Sequence, residues 1–161
     1  MTTERKVIGI VTLLTVAILA GGILIFTKGN NTPNNSSVPE SEIVSKNGLH
    51  WHPKLSIYIK GEKQELTDAI GLGAVHQPLH THAEDYKDGV IHMEMQGMIT
   101  KDDTRLGNFF RIWGKVFSST QIFDKTNGDE GMVKMTVNGQ ENTGFENYKM
   151  KDGDVIEIRY E

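Results

Sequence analysis

The chain of 161 residues contains no cysteine. It can therefore form no disulfide, no thiolate metal site, no thiol nucleophile and no lipidated N-terminal cysteine. An excess of positive charge is also missing: 17 basic residues stand against 21 acidic ones, a formal net charge of -4. Setting aside Glu4, Arg5 and Lys6 at the extreme N-terminus leaves the remainder slightly more acidic. That balance argues against nucleic acid and anionic lipid surfaces as partners. Familiar catalytic signatures are absent as well. There is no H-E-x-x-H, no G-x-S-x-G, no Walker loop and no dinucleotide fingerprint. His92-Met93-Glu94 matches the H-x-E half of the zinc deaminases, but the P-C-x-x-C half requires cysteines. With no recognised catalytic motif, a non-enzymatic role is the first expectation. No internal repeat is visible, and the length suits one ordinary domain plus an appendage.

Long apolar runs are missing too, with one exception. Residues 7–26, VIGIVTLLTVAILAGGILIF, carry no charge. About 20 residues at 1.5 Å rise cross a hydrocarbon core of about 30 Å, so this stretch predicts a transmembrane anchor. Thr12 and Thr15 can return their hydroxyls to the helix backbone, and Gly21 and Gly22 are tolerated in membrane helices. Arg5 and Lys6 precede the run, and after Lys28 no basic residue appears before Lys46. The bias predicts a cytoplasmic N-terminus, a single pass through the cell membrane and an extracytoplasmic C-terminal domain. The alternative, a cleaved signal peptide, fits less well, because the run is long and ILA before Gly21 is not an A-x-A site. Residues 27–46 are rich in Asn, Ser, Thr and Pro and predict a flexible linker. The expected layout is a cytoplasmic tail at 1–6, the anchor at 7–26, the linker at 27–46 and a β-rich domain at 47–161.

Within that domain, period-two alternation dominates. LSIYIKG (55–61) sets Leu55, Ile57 and Ile59 against Ser56, Tyr58 and Lys60, with Gly61-Glu62 as the turn into KQEL. GVIHMEM (89–95) opposes Ile91, Met93 and Met95 to Val90, His92 and Glu94. MVKMTV (132–137) runs into Asn138-Gly139, a strong hairpin signal. Asp152-Gly153-Asp154 then turns the chain into VIEIRY. One helix is expected in DDTRLGNFFRIWG, with Asp102, Asp103 or Thr104 as N-cap and Leu106, Phe109, Phe110 and Trp113 as its apolar stripe. Gly114 would stop it. A stripe at helical spacing reads as core, not as a ligand box. The expected fold class is α+β: a mixed sheet, mostly β, with one short helix.

The stretch VNGQENTGFENYKMKDGDVIEIRY (137–160) resembles the closing strands of β-grasp, ubiquitin-like domains, among them the sulfur-carrier proteins and transcobalamin-like domains. The resemblance implies a β-grasp-like sheet. It implies no sulfur-carrier role, since those proteins end in Gly-Gly and this sequence ends Arg159-Tyr160-Glu161. More broadly, HWHPKLSIYIKG, HTHAED with DGVIH, LGNFFRIWGKVF and VNGQEN resemble an uncharacterised family of small membrane-anchored archaeal and bacterial proteins. That resemblance brings no activity with it.

The histidines carry the functional signal. Four of the six lie in HQPLHTHAEDYKDGVIH (76–92), and the other two lie in HWHP. In extended chain, i and i+2 share a face, so His50 pairs with His52 and His80 with His82. If AEDYKDG is a hairpin loop closed by Asp88-Gly89, with His82 opposite Val90, then His80 lies opposite His92. All three rings then share one face, with opposed Cβ atoms about 4.5–5.5 Å apart. Three imidazoles without thiolate suit Zn(II), Cu(II) or Ni(II), and copper stands highest in intrinsic affinity. His50 and His52 are candidate closing ligands. His76, Glu84, Asp85 and Glu94 are possible helpers, as ligands or as partners that fix a tautomer. Met93, Met95 and Met98 invite a copper(I) reading, but strand alternation sends Met93 and Met95 to the core. The first expectation is a membrane-anchored protein binding copper or zinc for capture or delivery, with no protein partner indicated. The alternatives are a small metal-dependent enzyme with an open three-histidine site, a proton-sensing patch, and an interaction module with structural histidines.

Overall fold

The computed structural model describes residues 38–161. The expected anchor at 7–26 lies outside the described residues, among which no helix is long and apolar enough to cross a membrane. In chain order the first strands are β1 (Ile43–Ser45), β2 (Leu49–Trp51), β3 (Lys54–Ile59), β4 (Glu62–Gln64), β5 (Leu79–His80), β6 (His92–Met95) and β7 (Ile99–Thr100). Helix α1 (Leu106–Trp113) follows. The remaining strands are β8 (Phe117–Ser118), β9 (Gln121–Ile122), β10 (Lys125–Thr126), β11 (Val133–Val137), β12 (Gln140–Glu141) and β13 (Val155–Tyr160). The described chain is thus mostly β with one short helix, an α+β arrangement.

The principal sheet has the order β12-β11-β13-β3-β4. Its last strand enters the middle: β13 runs parallel to β3 and antiparallel to β11. Alternation explains why. Ile156 and Ile158 of β13, Leu55 and Ile57 of β3, and Val133 and Met135 of β11 are all buried, as strands at the centre of a sheet require. Leu106, Phe109 and Phe110 of α1 are also buried in this core. Full burial of each such side chain contributes about 1.5–3 kcal/mol. The aromatic stripe therefore packs as core, and Gly114 ends the helix in left-handed conformation.

Four expectations need correction. The helix cap is not Asp102, Asp103 or Thr104: α1 starts after Arg105 with no side-chain cap. The N–H of Leu106 donates instead to the Tyr148 carbonyl at 2.9 Å, and Asp103 Oδ2 accepts from Thr100. A backbone acceptor from the far end of the domain replaces the local cap. The turn between β3 and β4 is Lys60-Gly61, one residue earlier than expected, because Ile59 pairs with Glu62 and both turn residues have positive φ. The linker also ends sooner. Ile43–Ser45 forms β1 against β7, because half-buried Ile43 and Val44 are the apolar pair in an otherwise polar stretch. Finally, Val90, placed by alternation with His92 and Glu94 on the face opposed to Ile91, is buried as Ile91 is, and it bridges to Lys54.

That last contact locates the smaller sheet β2-β6-β5. Strand β4 covers only Ile57–Ile59 of β3, leaving the start of β3 open on that edge. Gly89–Ile91 takes it: Leu55 N donates to Gly89 O at 2.8 Å, and Ile91 N to Pro53 O at 2.9 Å. The register Leu49↔Met95, His50↔Glu94, Trp51↔Met93 runs on through Lys54↔Val90. One long ladder therefore carries both HWH and His92.

Candidate metal centre

The ladder sorts side chains by face. Met93 and Leu79 are buried, and Leu49, Trp51 and Met95 are packed against the core. The alternate positions, His50 and His52 beside β6 residues His92 and Glu94, belong to the opposite face. On the other side of β6, His80 lies opposite His92 and Leu79 opposite Met93. The facing of His80 and His92 is present, but the loop that produces it is not a regular hairpin. His82 does not pair with Val90. The His82 carbonyl accepts from Tyr86 N at 3.1 Å, and a 3-10 turn at Tyr86–Asp88 follows. The groups such a pair would use are satisfied inside the loop: Val90 N donates to the Asp85 carbonyl at 3.5 Å, and the His82 carbonyl is taken by Asp85 N and Tyr86 N.

All six imidazoles form one connected network. Ring centroids lie 4.6 Å apart for His50–His52, 4.8 Å for His52–His92 and 4.4 Å for His82–His92. They lie 4.8 Å apart for His80–His82 and 4.3 Å for His76–His80. His80 and His92 stack at 5.7 Å. Three sets of side chains can bring ligand atoms within 4.8 Å of one another: His50, His52 and His92; His76, His80 and Glu94; and His82, His92 and Glu94. His76, a helper in the sequence reading, sits directly against His80. Glu84 is exposed and belongs to none of these sets.

Hydrogen bonds fix which nitrogens are free. His80 is fully buried, and its Nδ1 lies 3.0 Å from the Gln77 carbonyl. A carbonyl only accepts, so Nδ1 carries the proton and Nε2 keeps its lone pair. His82 Nε2 is 3.1 Å from that Nε2, whereas His76 Nε2 is 3.3 Å from both ring nitrogens of His80 and so faces the ring. Ligands about 2.0–2.1 Å from a tetrahedral ion stand about 3.3–3.4 Å from one another, close to the His80–His82 separation. His92 Nε2 lies 2.9 Å from Asp85 Oδ2, the arrangement in which a carboxylate orients a histidine and leaves Nδ1 as the ligand atom. The other oxygen, Asp85 Oδ1, is buried with no hydrogen-bond partner among the described residues. Glu94 Oε1 lies 3.2 Å from His50 Nε2.

Electrostatics favour a neutral ring at His80. Burial holds the His80 pKa below its ordinary value, and His76 and His82 push it the same way, against the Gln77 carbonyl and Glu94. A neutral, buried imidazole with an unshared lone pair is a ligand in its binding form.

A groove of about 710 Å³ borders the cluster and is lined by His50, His76, Glu94, Met95, Met98 and Arg111 among others. Met93 is buried, so it cannot serve as a surface thioether ligand, whereas exposed Met98 lines this groove. The long-range partners were not visible in local patterns. His76 reaches His80 because residues 71–77 fold back, with Gln77 N donating to Gly71 O at 2.8 Å. The only sequence signal for that was Gly71, whose Cβ would press on the Leu79 carbonyl at 2.6 Å. Comparison of the chain with protein-family models, curated proteins and solved structures gives no match.

Proposed function

We propose that this protein binds a divalent transition metal, copper or zinc, through the histidine face of β2-β6-β5, for capture or delivery. The observation that carries the reading is the convergence of all six imidazoles and Glu94 into three sets whose ligand atoms lie within 4.8 Å of one another. An ion in one of these sets meets three donors at once, whereas a shared proton joins only two. The β-grasp-like reading of the domain belongs here too. Its support is the sheet order, in which an opening hairpin, a helix and a closing hairpin precede a last strand laid parallel to the first at the centre. The resemblance to the small membrane-anchored family is part of the same proposal. So is the placement outside the cytoplasm, which rests on the apolar run 7–26 and the charges flanking it.

The test is elemental analysis of the purified chain, with thermal denaturation before and after addition of zinc or copper. Bound metal and a rise in the unfolding temperature are expected, because a ligand that binds only the folded state stabilises it. The double variant His80→Ala/His92→Ala should lose both. Absence of metal together with absence of a thermal shift in the parent protein would sink the proposal.

A further inference from the structure

The three ligand sets overlap in an informative way. His50–His52–His92 and His76–His80–Glu94 have no residue in common, whereas His82–His92–Glu94 takes one residue from each. Two ions can occupy the first two sets together. The third set cannot be filled beside either, because His92 or Glu94 is then already engaged. Resting on the metal-binding reading above, the geometry points to two ion sites on this face, an outer one at His50–His52–His92 and an inner one at His76–His80–Glu94. His82 marks the route between them.

The sites differ in surroundings. In the outer set His50 and His52 are exposed and His92 is half-buried, so three imidazoles meet solvent on an open strand pair. The inner set holds fully buried His80, whose Nδ1 is tied to the Gln77 carbonyl. It also supplies a carboxylate, which makes it the harder donor set. Charge is distributed to match. Glu94 belongs to the inner set and also lies 3.2 Å from His50 of the outer one, where Asp85 sits 2.9 Å from His92. Neither carboxylate lies within salt-bridge distance of a lysine or arginine among the described residues. Each dication therefore has at least one anionic neighbour, which offsets the repulsion of placing two ions on one face. The middle set lets an ion exchange His92 for Glu94 while His82 holds it, so passage requires no fully released state. The inner site opens at His76 and Glu94 onto the 710 Å³ groove, from which a metal-bearing small molecule can approach.

The experiment is zinc stoichiometry on the full chain purified in mild detergent, saturated with Zn(II) and dialysed. Two zinc ions per chain are expected. His52→Ala and His76→Ala should each retain one, their combination none, and His82→Ala two. His52 and His76 are exposed, so truncating them removes no core contact. Cobalt(II) absorption gives a second readout, since three nitrogens and two nitrogens with an oxygen produce different bands. The two single variants should show different spectra that sum to that of the parent. One ion per chain, lost in either single variant, would overturn the two-site inference and leave the metal-binding proposal standing. Three ions, or identical spectra in the two variants, would also overturn it, and no ion at all would remove both.

Discussion

Replacing Gly89 by alanine should damage the domain far more than replacing Gly61, although both glycines have nearly the same backbone conformation. Gly89 has φ 78° and Gly61 has φ 85°. For an L-residue this left-handed region costs about 1–2 kcal/mol, and that term is common to both. The surroundings differ. A Cβ at Gly61 meets nothing within 4 Å, whereas one at Gly89 collides with the Leu55 carbonyl oxygen and lies 3.1 Å from its carbon. Both of those atoms are backbone in the central part of the fold, so Gly89 must move instead. Movement breaks the Leu55 N to Gly89 O bond of 2.8 Å and strands a buried donor, which adds about 1–3 kcal/mol. Gly61→Ala should therefore cost about 1–2 kcal/mol and Gly89→Ala about 2–5 kcal/mol. At about 3–5 °C per kcal/mol for a domain of this size, Gly89→Ala should lower Tm by about 6–25 °C. Gly89 also lies between Asp85 and His92, so its displacement should pull the carboxylate from the ring and weaken zinc binding, while Gly61→Ala leaves binding unchanged. The assay is urea unfolding of residues 38–161 followed by Trp51 and Trp113 fluorescence, with zinc titration alongside. Equal losses of stability in the two variants would refute the steric reasoning.

Two further outcomes follow from buried polar groups. Burial holds the His80 pKa below its ordinary 6.5, so the unfolded chain binds that proton first. Metal-free stability should be whole above about pH 6.5 and fall as pH drops through the lowered folded value, and His80→Gln should flatten that dependence in urea midpoints at about pH 7.5 and about pH 5.5. Asp154 accepts from Tyr148 Oη at 2.7 Å, Lys151 N at 2.7 Å and Asn138 Nδ2 at 3.1 Å, tying the final turn to the β11–β12 hairpin. Tyr148→Phe should cost about 1–2 kcal/mol and Asp154→Ala about 3 kcal/mol or more, and equal costs by chemical denaturation would contradict that account.

Local chemistry made much of the fold legible. Period-two alternation marked β3, β11 and β13, and the Asn138-Gly139 turn follows from the positive φ that both residues adopt. The stripe from Leu106 to Trp113 identified the helix, because four large side chains at helical spacing have nowhere to go but inward. Three of the misreadings share one cause, a partner distant in sequence. Tyr148 supplies the helix cap, Ile99–Thr100 extends the domain back to Ile43, and the start of β3 captures Val90.

The histidine face divides along the same line. That His80 and His82 share a side, and that His50 and His52 share one, follows from strand geometry and is written in the residue order. The absence of cysteine, equally plain in that order, confines any transition-metal chemistry to imidazole, carboxylate and thioether. Bringing HWH onto the face that holds His92 required the ladder from Leu49↔Met95 to Lys54↔Val90, with 40 or so residues between its strands. Bringing His76 onto His80 required the Gly71 fold-back. Periodicity depends on neighbours along the chain and so survives in the sequence. Convergence depends on which edge of the principal sheet is left open, and that is set by where β4 stops.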